Sequence, residues 1–262
     1  MTDAPILETE FADGCATMWL NRPERLNALN VALIDQACEQ LQEWEGDPAV
    51  RVILLRGRGR AFCAGDDVKG MREGIPNWEE MDFTRRREGG YEKLFFALYN
   101  VRKPVIAVLH GYAVGAGAMI ALASDLRIAA SDSKIGFVFV RRGITGGTTL
   151  LARYIGLGKA HELLMTGETV SGDEAERIGL VNVSVPPEQL EETVQQWVAK
   201  FVIAPTKVLG FTKYAIHHGL YQPLDTAFAL NSMAALLTPT AKDSMEGRQA
   251  FREKRAPDFK GT

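Results

Sequence analysis

The chain has 262 residues, of which 46% are hydrophobic and 24% charged, with 30 Lys and Arg against 33 Asp and Glu. That is an ordinary globular mix, so disordered, collagen-like and coiled-coil chains are excluded. A net charge of −3 argues against a broad basic surface for nucleic acid or anionic lipid. Cys15, Cys38 and Cys63 form neither a disulfide framework nor a CxxC or Cys/His zinc cluster, so a reducing compartment without a metal site is expected.

The opening MTDAPILETEF is acidic and lacks an apolar run. No targeting segment is therefore expected, and the expected location is the cytoplasm. Ala16 to Leu20 reads as a strand broken by Asn21-Arg22-Pro23. Asn30 is the expected N-cap of a helix over 31–44, whose apolar face is Leu33, Ile34, Ala37, Cys38 and Leu41. Val50 to Leu55 reads as a strand, and 77–101 as mainly helical around Gly89-Gly90. Pro104 to Ala123 is uncharged and long enough to span a bilayer. Its β-branched start, His110-Gly111 turn and small-residue end read instead as strand, glycine loop and buried helix. Leu126 to Ala130, Lys134 to Val138 and Leu180 to Val185 follow as short strands, and helical patterns dominate the remainder. The expected division is an α/β core over 1–200 and a helical segment over 201–262.

Two stretches are alike. In each, an apolar strand runs into a glycine-bearing loop and then small residues: Ala64-Gly65 in the first, Ala116-Gly117 in the second. Small residues let a ligand approach the backbone. Unpaired N–H groups at a helix start favour negative charge, and two converging on one oxygen form an oxyanion hole. Neither loop has a GxxxxGK[ST] or GxGxxG phosphate signature.

Five segments in order, Asn21–Leu29 (NRPERLNAL), Ala61–Lys69 (AFCAGDDVK), Gly111–Gly117 (GYAVGAG), Gly179–Asn182 (GLVN) and Glu246–Arg255 (EGRQAFREKR), resemble the crotonase superfamily, the enoyl-CoA hydratase/isomerase family. The resemblance implies a crotonase-like ββα spiral core with a C-terminal helical trimerisation segment. It also implies a homotrimer or dimer of trimers, an acyl-CoA thioester as substrate and no further cofactor. By position the oxyanion-hole donors are the N–H groups of Ala64 and Ala116. Backbone from Ala64 through Gly65 and Asp66 to Asp67 would meet the ligand, and Arg25 and Lys254 are placed to approach the CoA phosphates. A solvated surface charge is the competing reading for those two cations.

The sequence departs from the family where acids are expected. Hydratases of the family use two glutamates, one to activate water and one to handle the α-proton. Here those positions hold Met119 and Phe139, and Arg141–Thr148 (RRGITGGT) carries no carboxylate. Asp66 is the first candidate proton carrier, since a partly desolvated carboxyl has a raised pKa. Asp67 reads as a structural cap, His110 as a core residue and Tyr112 as packing. Glu88, Tyr91 and Glu92 border the acyl pocket in relatives. Arg141 and Arg142 read as a surface pair or a carboxylate-binding pair, and Thr145 and Thr148 as water-orienting or capping groups. Three readings stay open: an enoyl-CoA hydratase/isomerase-type enzyme, a hydrolase, decarboxylase or C–C bond hydrolase on the same scaffold, and a non-catalytic acyl-CoA-binding subunit.

Overall fold

The computed structural model describes residues 4–67 and 90–262. Strands β1 (Leu7–Ala12) and β2 (Cys15–Leu20) form an antiparallel hairpin. β1 was not anticipated, because its residues are mostly exposed and an edge strand needs no buried alternating face. Helix α1 (Val31–Gly46) begins where expected, with the Asn30 side chain accepting from Leu33 N–H at 2.9 Å. Strand β3 (Val52–Gly57) follows. Helix α2 (Gly90–Asn100) is the described part of the helix expected over 77–101.

The chain continues through β4 (Val105–Leu109), β5 (Tyr112–Val114), α3 (Ala116–Ala123), β6 (Leu126–Ala130) and β7 (Lys134–Gly136). The strand expected to reach Val138 stops at Gly136. Phe137 leaves extended geometry at ψ 64°, and Val138–Arg142 form a 3-10 turn. Then come α4 (Thr148–Ile155), α5 (Leu157–Thr166), β8 (Thr169–Val170), α6 (Gly172–Arg177) and β9 (Val183–Val185). The C-terminal helices are α7 (Leu190–Val202), α8 (Thr206–Gly219), α9 (Leu224–Leu237) and α10 (Lys242–Glu253).

The main sheet runs β1-β2-β3-β4-β6-β9, parallel from β2 onward, and β5-β7-β8 form a second, smaller sheet. The main sheet is covered on both faces, as parallel sheets usually are. Val52, Leu54, Ile106, Val108 and Ile128 pack on α7 through Leu190, Val194 and Val198. Ile53, Leu55, Val105, Ala107 and Ala129 enter the larger core with α1, α2 and α3. Every residue of α3 is buried, which accounts for its small, uncharged sequence. Among the described residues no helix is long and apolar enough to cross a membrane.

Candidate active site

The two glycine loops meet backbone to backbone. Cys63 pairs with Ala113, its N–H donating to Tyr112 O at 2.9 Å while Val114 N–H donates to Cys63 O at 3.0 Å. A Cβ at Gly65 would stand 3.0 Å from Val114 O and 3.3 Å from Ala116 N, and one at Gly117 only 2.2 Å from Cys63 O. Gly65 also has a φ of +98°. Only glycine lets the first loop lie against the start of α3 in this way.

Ala116 is the first residue of α3. Its N–H precedes the first intrahelical bond and has no partner among the described residues, whereas Gly115 N–H is taken by Gly136 O and Met119 N–H by Gly115 O. The second expected donor needs correction. Ala64 N–H is spent on Leu26 O at 2.9 Å, because Leu26 and Asn27 both adopt left-handed backbone, φ 51° and 57°, and turn that carbonyl toward it. Two residues on, Asp66 pairs with Leu29 through its neighbours: Leu29 N–H bonds Gly65 O, and Asp67 N–H bonds Leu29 O, each at 2.8 Å. Peptide groups alternate along extended backbone. Asp66 N–H therefore faces away from Leu29, and it has no partner among the described residues. Among the described residues the uncommitted donors of the two loops include Asp66 N–H and Ala116 N–H, along with Gly65 N–H and the other first-turn N–H groups of α3.

The Asp66 side chain lies in the same loop. Its Oδ1 is buried with no hydrogen-bond partner among the described residues. Burial pushes this carboxyl up to about 6, against the opposing pull of the Arg142 charge. Asp67 instead pairs with Arg22 at 2.7 Å. That interaction ties the loop to the Asn21–Leu29 turn.

Asn27, which the sequence reading did not single out, organises the turn. It is fully buried, donates to Arg58 O and Ala61 O at 2.8 and 2.7 Å, and accepts Arg22 N–H at 2.9 Å. An asparagine closing a Pro-containing turn is the available signal, since Asn tolerates left-handed backbone.

Met119 and Phe139 are nearly buried, at 7% and 6% exposure, and belong to the main core. Gly146 and Gly147 pack on them so closely that a Cβ would stand 2.9 Å from the Phe139 ring and from Met119 Sδ respectively. The Tyr91 ring lies 6.4 Å from that of Phe139. This wall holds a thioether and aromatic rings. His110 is a half-buried residue whose Nε2 is 2.9 Å from Gly59 O, with burial pulling its pKa down. Tyr112 is 40% exposed beneath the Lys134 ammonium. Arg25 and Lys254 are exposed, and so are Arg141, Arg142 and Thr145. Glu92 lies in the first turn of α2 and Thr148 opens α4. Lys69 and Glu88 lie outside the described residues.

Cys63 is fully buried and its thiol is pushed up to about 12 by burial, so it is no nucleophile.

A mixed β/α core of two sheets, with paired backbone donors at a buried helix start and helices at the C-terminal end, is the crotonase fold. The chain superposes on the enoyl-CoA hydratase of Mycobacterium smegmatis with a TM-score of 0.89 at 31% identity, covering 98% of this chain and 99% of that one. The Bacillus anthracis enoyl-CoA hydratase matches at 0.86 and 33%, covering 98% and 100%. A sequence model of the enoyl-CoA hydratase/isomerase family matches residues 10–262, and the chain belongs to that family. Among its relatives, the 1,2-epoxyphenylacetyl-CoA isomerase of Escherichia coli is 38% identical, with 95% of each chain covered. The crotonyl-CoA hydratase of Syntrophomonas wolfei is 35% identical, with 97% of this chain and 96% of that one covered.

Proposed function

We propose that the protein acts on an acyl-CoA thioester by moving a proton through an enolate, and that it is not a two-glutamate hydratase. The carrying observation is the buried Oδ1 of Asp66, which has no hydrogen-bond partner among the described residues, beside the uncommitted N–H groups of Asp66 and Ala116. The thioester oxygen would sit between Asp66 N–H and Ala116 N–H, which are fixed before charge develops on it and so need no reorganisation.

The Asp66 carboxylate takes the α-proton. The C–H electron pair becomes the enolate double bond, and the charge passes to the thioester oxygen. Returning the proton to the γ-carbon of an unsaturated chain moves its double bond, with no water consumed. A carboxyl poised at about 6 is well matched to taking and returning a proton near neutral pH. Hydration would also require a positioned water, and the two expected positions for its carboxylates are the apolar Met119 and Phe139. Relatives named as hydratases and as an isomerase match at similar identity, so the preference rests on the site.

Arg25 and Lys254 would meet the CoA phosphates, Lys254 from a neighbouring subunit. A homotrimer or dimer of trimers is in keeping with the exposed Leu224, Phe228 and Leu236 along α9.

The test is proton NMR of a panel of unsaturated acyl-CoAs in deuterated water. Deuterium entering the γ-position, with migration of the double bond, is the expected result. Its loss in Asp66→Asn, with CoA-ester binding retained, would assign the proton to this carboxyl. Crotonyl-CoA hydration at an ordinary enzymatic rate would overturn the proposal. Release of free CoA would favour the hydrolase reading, and tight binding without turnover the binding subunit.

A further inference from the structure

A second cavity, of about 380 Å³, lies between α8 and the core, lined by apolar side chains including Ile106, Leu126, Leu150, Leu209 and Ile216. It adjoins Asp125, two residues past the C-terminal end of α3, so one eight-residue helix, about 12 Å long, separates it from Ala116. Its volume and lining fall in the range of small-molecule sites, which are mostly apolar with a few placed polar groups.

Most of those polar groups already have partners. Lys213 Nζ has three donors and three acceptors: Leu98 O at 3.2 Å, Lys103 O at 3.3 Å and Asp125 Oδ2 at 2.9 Å. It has no donor left for a ligand. Asp125 Oδ2 also takes Val105 N–H at 2.8 Å. The His217 ring stacks on Tyr99 with centroids 3.8 Å apart, and its Nδ1 is 2.9 Å from Tyr99 O. A carbonyl can only accept, so Nδ1 carries the proton. Burial favours the neutral ring, which leaves Nε2 as a bare acceptor. Nε2 faces Asp125 Oδ1 across 3.7 Å, too far for a hydrogen bond. Thr212 and Tyr154, which also line the cavity, direct their hydroxyl protons to Val208 O and Leu122 O. Among the described residues the cavity thus offers two neighbouring acceptors, and its one donor group not fully committed is the guanidinium of Arg153, which lies over the Tyr221 ring and bonds Tyr99.

We propose that this cavity is a second ligand site for a short hydrocarbon chain ending in a primary carboxamide. One NH2 group carries two donors and would bridge Asp125 Oδ1 and His217 Nε2. A carboxylate would set its lone pairs against Asp125. An alcohol has one donor for two acceptors. An alkylamine is protonated at neutral pH and would bring a second cation beside Lys213.

The experiment is a titration of the full-length protein with hexanamide, following the His217 ring by NMR, with hexanoate and hexan-1-ol as comparators. Saturable hexanamide binding that shifts the His217 signal is expected, with hexanoate at least tenfold weaker. His217→Phe keeps the ring stack and removes the acceptor, and should weaken the amide about tenfold. Ile216→Trp should block the cavity. Absence of saturable hexanamide binding, equal binding of hexanoate, or amide binding indifferent to both substitutions would overturn the proposal. Should either variant fail to fold, the amide-against-carboxylate comparison on the unmodified protein still decides.

Discussion

Arg22 and Asp67 meet across 45 positions of sequence in a 2.7 Å ion pair, with only 12% and 16% of their side chains exposed. The pair closes the first glycine loop onto the Pro-containing turn and so fixes where Asp66 begins. Replacing Arg22 by Gln removes a close cation from a shielded carboxylate, and the expected loss is about 1–3 kcal/mol of stability. A rise in KM for any acyl-CoA substrate should accompany it. The Arg58→Gln variant is the control, because its pairs with Glu8 and Glu10 are a third or more exposed and are worth less than about 1 kcal/mol. Thermal melts of the two variants check the contrast.

Asp66→Asn separates two roles held by one residue, because it removes the carboxyl and keeps the N–H. Activity of the unmodified protein should rise with pH through about 6 as the carboxylate forms, and that limb should vanish in the variant. Stability moves the other way. The folded carboxyl binds its proton more tightly than the unfolded one, so ionising it costs stability at neutral pH, and the cost fades as pH falls from about 6 toward the ordinary carboxylate range. Asp66→Asn should therefore melt higher than the parent at pH 8, by an amount on the order of 1–3 kcal/mol, and equally with it near pH 4.

Ala116→Pro deletes one backbone donor at the helix position where proline is best tolerated. The variant is expected to fold and to lose about 10²–10³ of its rate, the usual consequence of removing one oxyanion donor. Ala64→Pro would instead break the bond to Leu26 O, so its damage should register first in thermal unfolding.

Asn27→Ala strips Arg58 O and Ala61 O of a buried donor and leaves a left-handed residue without the side chain that favours it. A loss of about 2–4 kcal/mol is expected, seen as a lowered denaturant midpoint.

The features read correctly from sequence are those fixed locally. The Asn30 cap, the strand before each glycine loop and the all-buried α3 follow from a few adjacent residues. The choice between Ala64 and Asp66 as donor does not. It depends on the Leu26 carbonyl, brought across the chain by two consecutive left-handed residues, and no spacing within Ala61–Lys69 records that. The lining of the second cavity was equally hidden, since Tyr99, Asp125 and His217 come from three separate elements.

In the proposed reaction, the residue that supplies one of the two donors also carries the acid. When Asp66 lifts a proton it becomes neutral as the enolate oxygen beside its own N–H becomes negative. The pocket's total charge is the same before and after, so the reaction relocates a charge over a short distance instead of creating one. Arg142 pulls Asp66 toward its ionised form against the larger push of burial, so charge reversal at Arg142 should move the acid limb of activity to higher pH.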